Sequence, residues 1–411
     1  AGVQWISWWR QPIEPCGTVQ WRATAMLPSE PPALCAALQA EWAELPGVSR
    51  EESSSLRVIS LNILAEGLAR GRSAPLEEDS FEPCPALFEQ DGAGGVAYRQ
   101  GVSGSASDYR FRCSSEHLAW ERRWPMLRAL ILEHNPDLIG LQEVDLMDSK
   151  EEQLRAHDKE IRRDLFKAGY DGTFSKKAGR ACDGLGLFWR RSRLRQAGRT
   201  ETWRLGRGVH VALAQPLCLD GSLRFTAIAS HLKAGLTEES ESAREEQARS
   251  IVHHLRNHKS AVLLADLNSH CRAIALGGSP DAANEDALAG QLLEPRAYPL
   301  LTQCLQSACQ AVLGDEPSFT CWGGWEDREV RLICDYVLVK GSLLRPSRVL
   351  RVLPATEVLR HAERLPNPEH PSDHVPIVVD LSVDSAEAAG DVTQAQANGQ
   401  PTPAVKRQRL P

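Results

Sequence analysis

The sequence predicts an α/β domain built on mixed β-sheets, because strand-like and helical patterns alternate along the chain. The run 56–64 alternates apolar and polar residues as a strand does, whereas the apolar residues of 120–131 follow a helical 4-3-4 spacing. Asp220-Gly221 separates the strand-like runs 209–219 and 223–232, and this dipeptide is typical of tight hairpin turns. Antiparallel hairpins among interspersed helices indicate mixed sheets rather than a purely parallel sheet.

The elements follow one another without an internal repeat. Apolar or alternating runs predict the strands 56–64, 138–144, 184–189, 209–219, 223–232, 261–265, 333–339 and 375–381. Amphipathic spacing predicts helices at 120–131, 154–165 and 248–255.

The chain divides into one large domain and two flanking segments. Residues 1–55 are rich in tryptophan and proline and are interpreted as an N-terminal extension. The main domain is expected over 56–383, with a Gly-, Ser-, Glu- and Pro-rich surface insertion at 66–116. The composition of 384–411 predicts a disordered tail.

The overall composition is that of a globular protein. A net charge of −7 over 411 residues argues against a broad basic surface that coats nucleic acid, although a local basic cleft remains compatible with it. The 11 cysteines form no C-x-x-C pair, which indicates reduced thiols rather than a disulfide framework or a zinc motif. No apolar run approaches the roughly 18–20 residues of a membrane span.

Polar side chains stand where the predicted strands end. Asp266 and Asn268 follow the apolar strand 261–265, and strand alternation predicts that they share one face. An Asx-turn that closes the strand is the structural alternative for this pair. The full set of strand-end residues is Asn62, Glu143, His231, Asp266, Asn268, Asp335, Asp373 and His374.

These residue types suit phosphoester cleavage, which needs a cation on the phosphate oxygens, an activated water and a protonated leaving oxygen. Glu143 is a suitable Mg²⁺ ligand, with Mn²⁺ as the alternative ion, and Asp266 could accept the proton of the water. Asn62 and Asn268 can donate to phosphate oxygens without adding negative charge.

The histidines complete this set of strand-end residues. His231 and His374 can neutralise charge that develops in the transition state or return a proton. Asp335 could hold one imidazole in a single tautomer. The chain contains no Gly-rich phosphate loop, G-x-S-x-G elbow or kinase signature that would indicate a different chemistry.

Several motifs, in this order, resemble the endonuclease/exonuclease/phosphatase superfamily. They are Leu61-Asn62-Ile63-Leu64-Ala65, the stretch 135–145 with Leu141-Gln142-Glu143-Val144-Asp145, Ala265-Asp266-Leu267-Asn268, Cys334-Asp335-Tyr336 and Pro371-Ser372-Asp373-His374. The resemblance covers about residues 56–383 and implies a four-layer, DNase I-like sandwich of two mixed β-sheets flanked by helices.

The resemblance also implies roles for the site residues. Glu143 would hold Mg²⁺, with Asn62 and Asp373 near the metal and the phosphate. Asp266 and Asn268 would handle the water, Asp335 would pair with His374, and His231 would contact the scissile phosphate.

Within the superfamily, the chain is most similar to the branch of nocturnin-like enzymes and carbon-catabolite-repressor deadenylases. Enzymes of the nocturnin type remove the 2′-phosphate of NADP(H), and they grip the dinucleotide with a lysine after a Gly-Thr-Phe motif and with a His-Leu-Lys-Ala-Arg run. The first lysine of this pattern is matched by Lys177 or Lys176, and the second is matched by Lys233. Gly235 stands at the arginine position. Arg244 on the next helix is the candidate substitute, and surface charge is the structural alternative for all of these cations.

The sequence therefore predicts a Mg²⁺-dependent phosphoesterase that acts on the 2′-phosphate of NADP(H). A 3′→5′ poly(A) RNA exonuclease is the first alternative, and a catalytically silent nucleotide- or RNA-binding protein is the alternative of another class. The partner is expected to be a nucleotide or RNA substrate, with no stable protein partner and no membrane span. We expect a cytoplasmic protein, with mitochondrial or nuclear targeting as alternatives, since residue 1 is not methionine and 406–409 is basic.

Overall fold

The computed structural model describes residues 41–45, 55–69, 88–90, 96–98, 111–146, 157–179, 181, 183–275, 292–325 and 329–383. The strands are β1 Trp42–Glu44, β2 Ser55–Asn62, β3 Phe88–Gln90, β4 Val96–Tyr98, β5 Leu138–Asp145, β6 Tyr170–Lys176, β7 Asp183–Arg190, β8 Leu194–Gln196, β9 Glu201–Arg204, β10 Val211–Leu219, β11 Leu223–His231, β12 Ala261–Asp266, β13 Ile274–Ala275, β14 Leu292–Leu293, β15 Gln306–Ser307, β16 Cys321–Gly324, β17 Glu329–Leu332, β18 Asp335–Lys340, β19 Leu344–Leu350 and β20 Ile377–Val383. The helices are α1 Glu66–Ala69, α2 Ser115–Leu118, α3 Trp120–Glu133, α4 Asp158–Lys167, α5 Glu238–Leu255, α6 Ala297–Thr302, α7 Ala308–Leu313 and α8 Ala355–Leu359.

Two seven-stranded mixed sheets form the centre of the fold. Sheet I has the strand order β1-β19-β20-β2-β5-β7-β6, and sheet II has the order β15-β18-β12-β11-β10-β8 with β9 also paired to β10. Within each sheet one neighbouring pair is parallel, β2 with β5 and β11 with β12. The other pairings within the sheets are antiparallel, so both sheets are mixed as predicted.

Strand alternation builds the layers. Inward-facing residues of the two sheets, such as Val58 and Leu138 of sheet I with Val262 of sheet II, form the core between them. The next residues along these strands, Ile59 and Leu263, point outward into separate cores.

Helices cover both outer faces. The stripe Trp124, Leu127 and Ile131 of α3 packs on sheet I together with α4. The stripe Ala248, Ile251 and Leu255 of α5 packs on sheet II beside α6. The resulting helix–sheet–sheet–helix arrangement confirms the predicted four-layer DNase I-like sandwich.

The two sheets approach each other closely near the site edge, at Gly140 of β5. A Cβ atom on Gly140 would lie 2.6 Å from the Cβ of Leu264 on β12, which accounts for the glycine here. Two residues further, Gln142 donates from Nε2 to the backbone oxygen of Leu264 at 3.2 Å. This buried contact fixes the end of β5 against the end of β12.

The predicted hairpin is also confirmed. β10 and β11 pair from Leu219 with Leu223 onward, and the amide of Ser222 donates to the Leu219 oxygen at 3.1 Å. Asp220 and Gly221 both have positive φ, 47° and 80°, as a type I′ turn requires.

The flanking segments lie largely outside the described residues. Within the extension 1–55, β1 forms the edge of sheet I, where it pairs with β19. Within the insertion 66–116, β3 and β4 form a small two-stranded sheet. The tail 384–411 lies outside the described residues. Across the ranges given above, no helix has the length and hydropathy that a bilayer crossing needs.

Candidate active site

The carboxyl ends of the two parallel strand pairs converge at one edge of the sandwich. Asn62 ends β2 and His231 ends β11, while Asp266 ends β12 opposite Asp335 on β18. Glu143 lies just before the end of β5. Both sheets therefore contribute to one polar edge, as the strand-end pattern predicts.

Asn62 joins the two sheets through its side chain. Its Nδ2 donates to Glu143 Oε1 at 2.9 Å and to Asp266 Oδ2 at 3.0 Å. Its Oδ1 accepts from the amide of Leu64 at 3.0 Å, which fixes the amide orientation. This fully buried residue thus sets the spacing between the two carboxylates.

Glu143 occupies a β-bulge. The register of β5 against β7 shifts between Gln142 and Val144, so that Glu143 is the extra residue, and its φ is 57°. A glutamate at positive φ is strained, and such strain concentrates at functional sites. The bulge turns the side chain towards Asn62, and the amide of Ala65 donates to Glu143 Oε2 at 3.1 Å.

Asp266 closes its strand and also faces the neighbouring polar side chains. Its Oδ1 accepts from the amide of Asn268 at 2.9 Å, which is the Asx-turn that closes β12. Its Oδ2 faces Asn62 and lies 3.5 Å from His231 Nε2. Asn268, with φ of 49°, has left the strand and donates from Nδ2 to the Leu232 oxygen at 3.3 Å. The expectation that Asp266 and Asn268 share a strand face is therefore wrong, because β12 ends at Asp266.

Asp335 and His374 form a buried pair. His374 Nδ1 lies 2.8 Å from Asp335 Oδ2, as the resemblance implies. The nitrogen and oxygen atoms of His374, Asp335 and Asp266 come within 4.8 Å of one another. Burial opposes the imidazolium of His374, but the carboxylates, Asp335 above all, raise its pKa well above the ordinary value. These carboxylates therefore favour the charged form of His374.

The neighbours of His231 favour its neutral form, in contrast to His374. Lys177 Nζ lies 3.2 Å from His231 Nδ1 and 2.6 Å from Asp183 Oδ2. Burial, with the positive charges of Lys177 and His374 added to it, lowers the pKa of His231 well below its ordinary value. A neutral His231 presents its Nε2 to the site, 3.9 Å from Glu143 Oε1.

The other predicted cations lie on the segment after β11. Lys233 is mostly buried, and burial together with Arg244 and Lys177 lowers its pKa to about 8. Arg244 is 1% exposed and donates to Glu241 and to the backbone oxygens of Lys233 and Gly235. Because these contacts occupy the guanidinium, Arg244 is placed to position Lys233 rather than to reach a phosphate.

The site carries an excess of buried negative charge. Burial, together with the neighbouring charges of Asp373 and Asp183, raises the pKa of Glu143 to about 7. Burial also raises the pKa of Asp373, of Asp266 and of Asp145. Within the part of the chain that the structure describes, the buried Oδ1 of Asp373 has no hydrogen-bond partner. Clustered carboxylate oxygens in excess of the nearby positive charges fit a divalent cation, and one ligand atom each of Glu143, His231 and Asp266 lies within 4.8 Å of the other two. That Glu143 and Asp373 would hold the cation remains a prediction.

Arg123 is a residue of this region that the sequence reading did not select. It is fully buried on α3 and donates to the backbone oxygens of Ile63 at 2.8 Å and Pro371 at 3.3 Å. These carbonyls adjoin the segments that carry Asn62 and Asp373. A signal was present in the sequence, because Arg123 lies on the apolar stripe of its helix, three residues after Trp120. Asp183, which anchors Lys177, was likewise not selected.

A sequence model of the Endonuclease/Exonuclease/phosphatase family matches residues 126–374, more than half of the chain. Among curated proteins, nocturnin of Mus musculus is 26% identical over 390 residues, which span 90% of this chain and 75% of that protein. Nocturnin of Drosophila melanogaster is 27% identical over 359 residues, which span 80% of this chain and 50% of that protein.

Two solved structures share the fold. The human nocturnin catalytic domain with bound sulfate aligns with a TM-score of 0.51 and 21% identity, covering 84% of this chain and 97% of that domain. ANGEL2, a 2′,3′-cyclic phosphatase, in complex with adenosine-2′,3′-vanadate aligns with a TM-score of 0.55 and 17% identity, covering 84% of this chain and 99% of that one. The family match and the convergent strand-end residues lead to one conclusion: the chain is a phosphoester-hydrolysing enzyme that belongs to the endonuclease/exonuclease/phosphatase family and resembles nocturnin.

Proposed function

We propose that this enzyme is a Mg²⁺-dependent phosphatase that removes the 2′-phosphate of NADP(H). The observation that supports it is the position of Lys177, 3.2 Å from His231, with Lys233 two residues further along the chain from that histidine. A terminal phosphate carries about two negative charges at pH 7, which favours a site with cations beside the metal. The buried carboxylates would hold the metal, and the lysines would add positive charge near the phosphate.

The residues at the strand ends divide the chemical work. A Mg²⁺ ion bound by Glu143 and Asp373 would supply a positive charge to the phosphate oxygens. Asp266, whose pKa burial and Asp335 raise to about 6, is matched to accept the proton of the attacking water near neutral pH. Asn62 orients Asp266 through its 3.0 Å hydrogen bond.

The two histidines act in different protonation states. The charged His374, oriented by Asp335, would neutralise negative charge on the phosphoryl group as it develops. The neutral His231 would donate a hydrogen bond from Nε2 to a phosphate oxygen, since Nδ1 faces the ammonium of Lys177.

A 3′→5′ poly(A) exonuclease is the second candidate, and Gly235 favours it. NADP(H) phosphatases of the nocturnin type are expected to carry an arginine at this position. Here φ is 114°, a conformation that an arginine would adopt only with strain. A glycine at Gly235 gives no bidentate contact to a phosphate.

The deciding experiment offers NADP⁺, NADPH and labelled poly(A) RNA to the purified protein side by side in Mg²⁺. We expect inorganic phosphate from NADP⁺ and NADPH, with loss of release in Glu143→Ala. Shortening of poly(A) while NADP⁺ stays intact would establish the exonuclease instead. Glu121→Gln, a substitution of an exposed glutamate in the first turn of α3, is the control that should leave turnover unchanged.

A further inference from the structure

Cys321 and His374 lie directly opposite each other in the fold. An antiparallel bridge joins them, flanked by the hydrogen bonds of Trp322 N to Asp373 O at 2.9 Å and Val375 N to Thr320 O at 2.8 Å. This pattern is a non-hydrogen-bonded pair, in which the side chains stand closest and on the same face. The thiol of Cys321 is therefore a neighbour of the imidazole of His374.

Cys334, the residue just before β18, approaches the same imidazole. Its backbone is fixed by Thr320, whose Oγ1 accepts from the amides of Cys334 at 2.9 Å and Asp335 at 3.0 Å. Its Sγ lies 4.0 Å from His374 Nδ1 and 3.5 Å from Asp335 Oδ2. The ligand atoms of Cys321, Cys334 and His374 all lie within 4.8 Å of one another.

This donor set has the dimensions of a tetrahedral soft-metal site. With Zn–S of about 2.3 Å and Zn–N of about 2.0–2.1 Å, the ligand atoms of such a site are about 3.5–3.8 Å apart. The cluster of thiols and imidazole needs only small side-chain movements to reach that spacing. The spacing of the cysteines along the sequence gives no zinc motif, so this cluster arises only from the fold.

We propose that Cys321, Cys334 and Nδ1 of His374 bind a thiophilic divalent cation of the Zn²⁺ class, and that this binding inhibits phosphoester hydrolysis. Each thiol gives its proton to solvent as it becomes a thiolate ligand, and the imidazolium of His374 gives the proton on Nδ1 to solvent so that the ring binds in its neutral form. Two thiolates balance the charge of the cation, which suits a buried site. The Asp335 carboxylate is near enough to complete the coordination.

Metal binding fits these thiols better than oxidation does. The hydrogen bond with Cys334 lowers the pKa of Cys321, but burial and the neighbouring carboxylates outweigh it and raise that pKa to about 12. Burial raises the pKa of Cys334 well above its ordinary value. Buried thiols in this state are poor nucleophiles towards oxidants. A divalent cation that binds in the cluster provides the positive countercharge that stabilises the two thiolates.

Inhibition follows from competition for one atom. His374 Nδ1 now faces Asp335 at 2.8 Å, and a cation on Nδ1 takes the place of the proton in that contact. The imidazole then loses the 2.8 Å contact with Asp335 that orients it at the site. Binding of the cation does not depend on which substrate the enzyme hydrolyses. The inhibition rests on the proposed function, because it depends on the role proposed for His374.

The test is a titration of the full chain with Co²⁺ in millimolar Mg²⁺, which keeps the oxygen ligands occupied. We expect thiolate-to-cobalt charge-transfer bands that saturate at one equivalent and disappear when Zn²⁺ is added. Cys321→Ala and Cys334→Ser should each weaken the affinity for Co²⁺ at least about 100-fold. The loss of an outer-shell partner alone costs up to about 100-fold, and these variants each remove a ligand. Cys309→Ala removes a buried thiol of α7 and should leave the bands unchanged.

Turnover of whichever phosphoester the enzyme hydrolyses gives the second readout. Zn²⁺ should abolish turnover in wild type and in Cys309→Ala, and Cys321→Ala should keep its activity at Zn²⁺ concentrations that silence wild type. Absence of charge-transfer bands in the folded wild-type protein would overturn the metal site. Bands without inhibition would overturn only the coupling to His374, and failure of the proposed substrate would leave the Co²⁺ result standing.

Discussion

At the scale of single residues, Glu143 carries the clearest prediction about catalysis. Glu143→Gln keeps the shape and the contact to Asn62 but removes the charge that would hold the metal. We expect turnover in Mg²⁺ to fall by about 10²–10³-fold, as when one electrostatic contact to a transition state is removed. Initial rates at saturating substrate measure this loss of turnover. A Glu143→Gln variant whose turnover stays within tenfold of wild type would show that Glu143 is not a metal ligand.

Lys233 predicts how substrate binding depends on pH. Because its pKa is lowered to about 8, the ammonium is present below that pH and is lost as the pH rises through it. The KM of a phosphomonoester should therefore rise about tenfold between pH 7 and pH 9, the size expected when one hydrogen bond from a charged group is lost. The substrate is already a dianion over this range, since its second pKa is about 6.

The matched variant for this prediction is Lys233→Arg. A guanidinium stays charged at every pH of the assay, so KM should remain flat between pH 7 and pH 9. If the variant shows the same rise in KM as wild type, another group is responsible for it.

At the scale of secondary-structure elements, the contact between β5 and β12 decides where the two halves of the site meet. Gly140→Ala places a Cβ atom 2.6 Å from that of Leu264, and backbone must move to relieve the contact. We expect a loss of about 1–3 kcal/mol in the free energy of unfolding, the usual cost of overpacking a core. Turnover should fall as well, because Glu143 and Asp266 lie on these strands.

Chemical denaturation of single and double variants tests the origin of that cost. Leu264→Ala retains the Cβ atom, so the double variant Gly140→Ala, Leu264→Ala should gain no rescue. Full recovery in the double variant would mean that the outer atoms of the leucine, and not the approach of the backbones, set the spacing of the sheets.

The sequence also shows at this scale what can be predicted and what cannot. Asn62, His231 and Asp266 were found because each follows a short apolar run, and that local pattern already places a residue at the end of a strand. The sequence makes Arg244 a candidate phosphate ligand only because it is a cation on the helix that follows Gly235. Its partner Glu241 lies one helical turn before it, and only the fold shows that the guanidinium turns inward to this carboxylate and to the β11 segment.

Contacts at the edges of the sheets could not be predicted from the sequence either, because they too depend on the fold. β1 pairs with β19 over only three residues, Trp42–Glu44, too short a stretch for periodicity to reveal. Lys177 and Asp183 lie on either side of the turn between β6 and β7, and the register of that hairpin brings them to His231. Neither contact has a signal in the local pattern of the sequence.

At the scale of the whole molecule, a metal ion bound at Glu143 should make the stability of the fold depend on both pH and Mg²⁺. The folded protein holds the proton of Glu143 more tightly than the unfolded chain does, because burial raises its pKa from 4.5 to about 7. As the pH rises through this window, ionisation costs the metal-free protein stability, by about 3 kcal/mol at 1.36 kcal/mol per pKa unit. The free energy of unfolding without metal should therefore be lower at pH 8 than at pH 5.

Mg²⁺ should reverse this loss at pH 8 and have little effect at pH 5, where protons compete with it for the carboxylates. At 100 times the dissociation constant, a bound ion stabilises the folded state by about 2.7 kcal/mol. Denaturant unfolding in chelator and in Mg²⁺ at both pH values measures the four free energies. Glu143→Gln should be more stable than wild type in chelator at pH 8 and should not respond to Mg²⁺. Equal Mg²⁺ stabilisation of wild type and variant would place the ion elsewhere, because a cation bound by Glu143 must lose affinity when this carboxylate loses its charge.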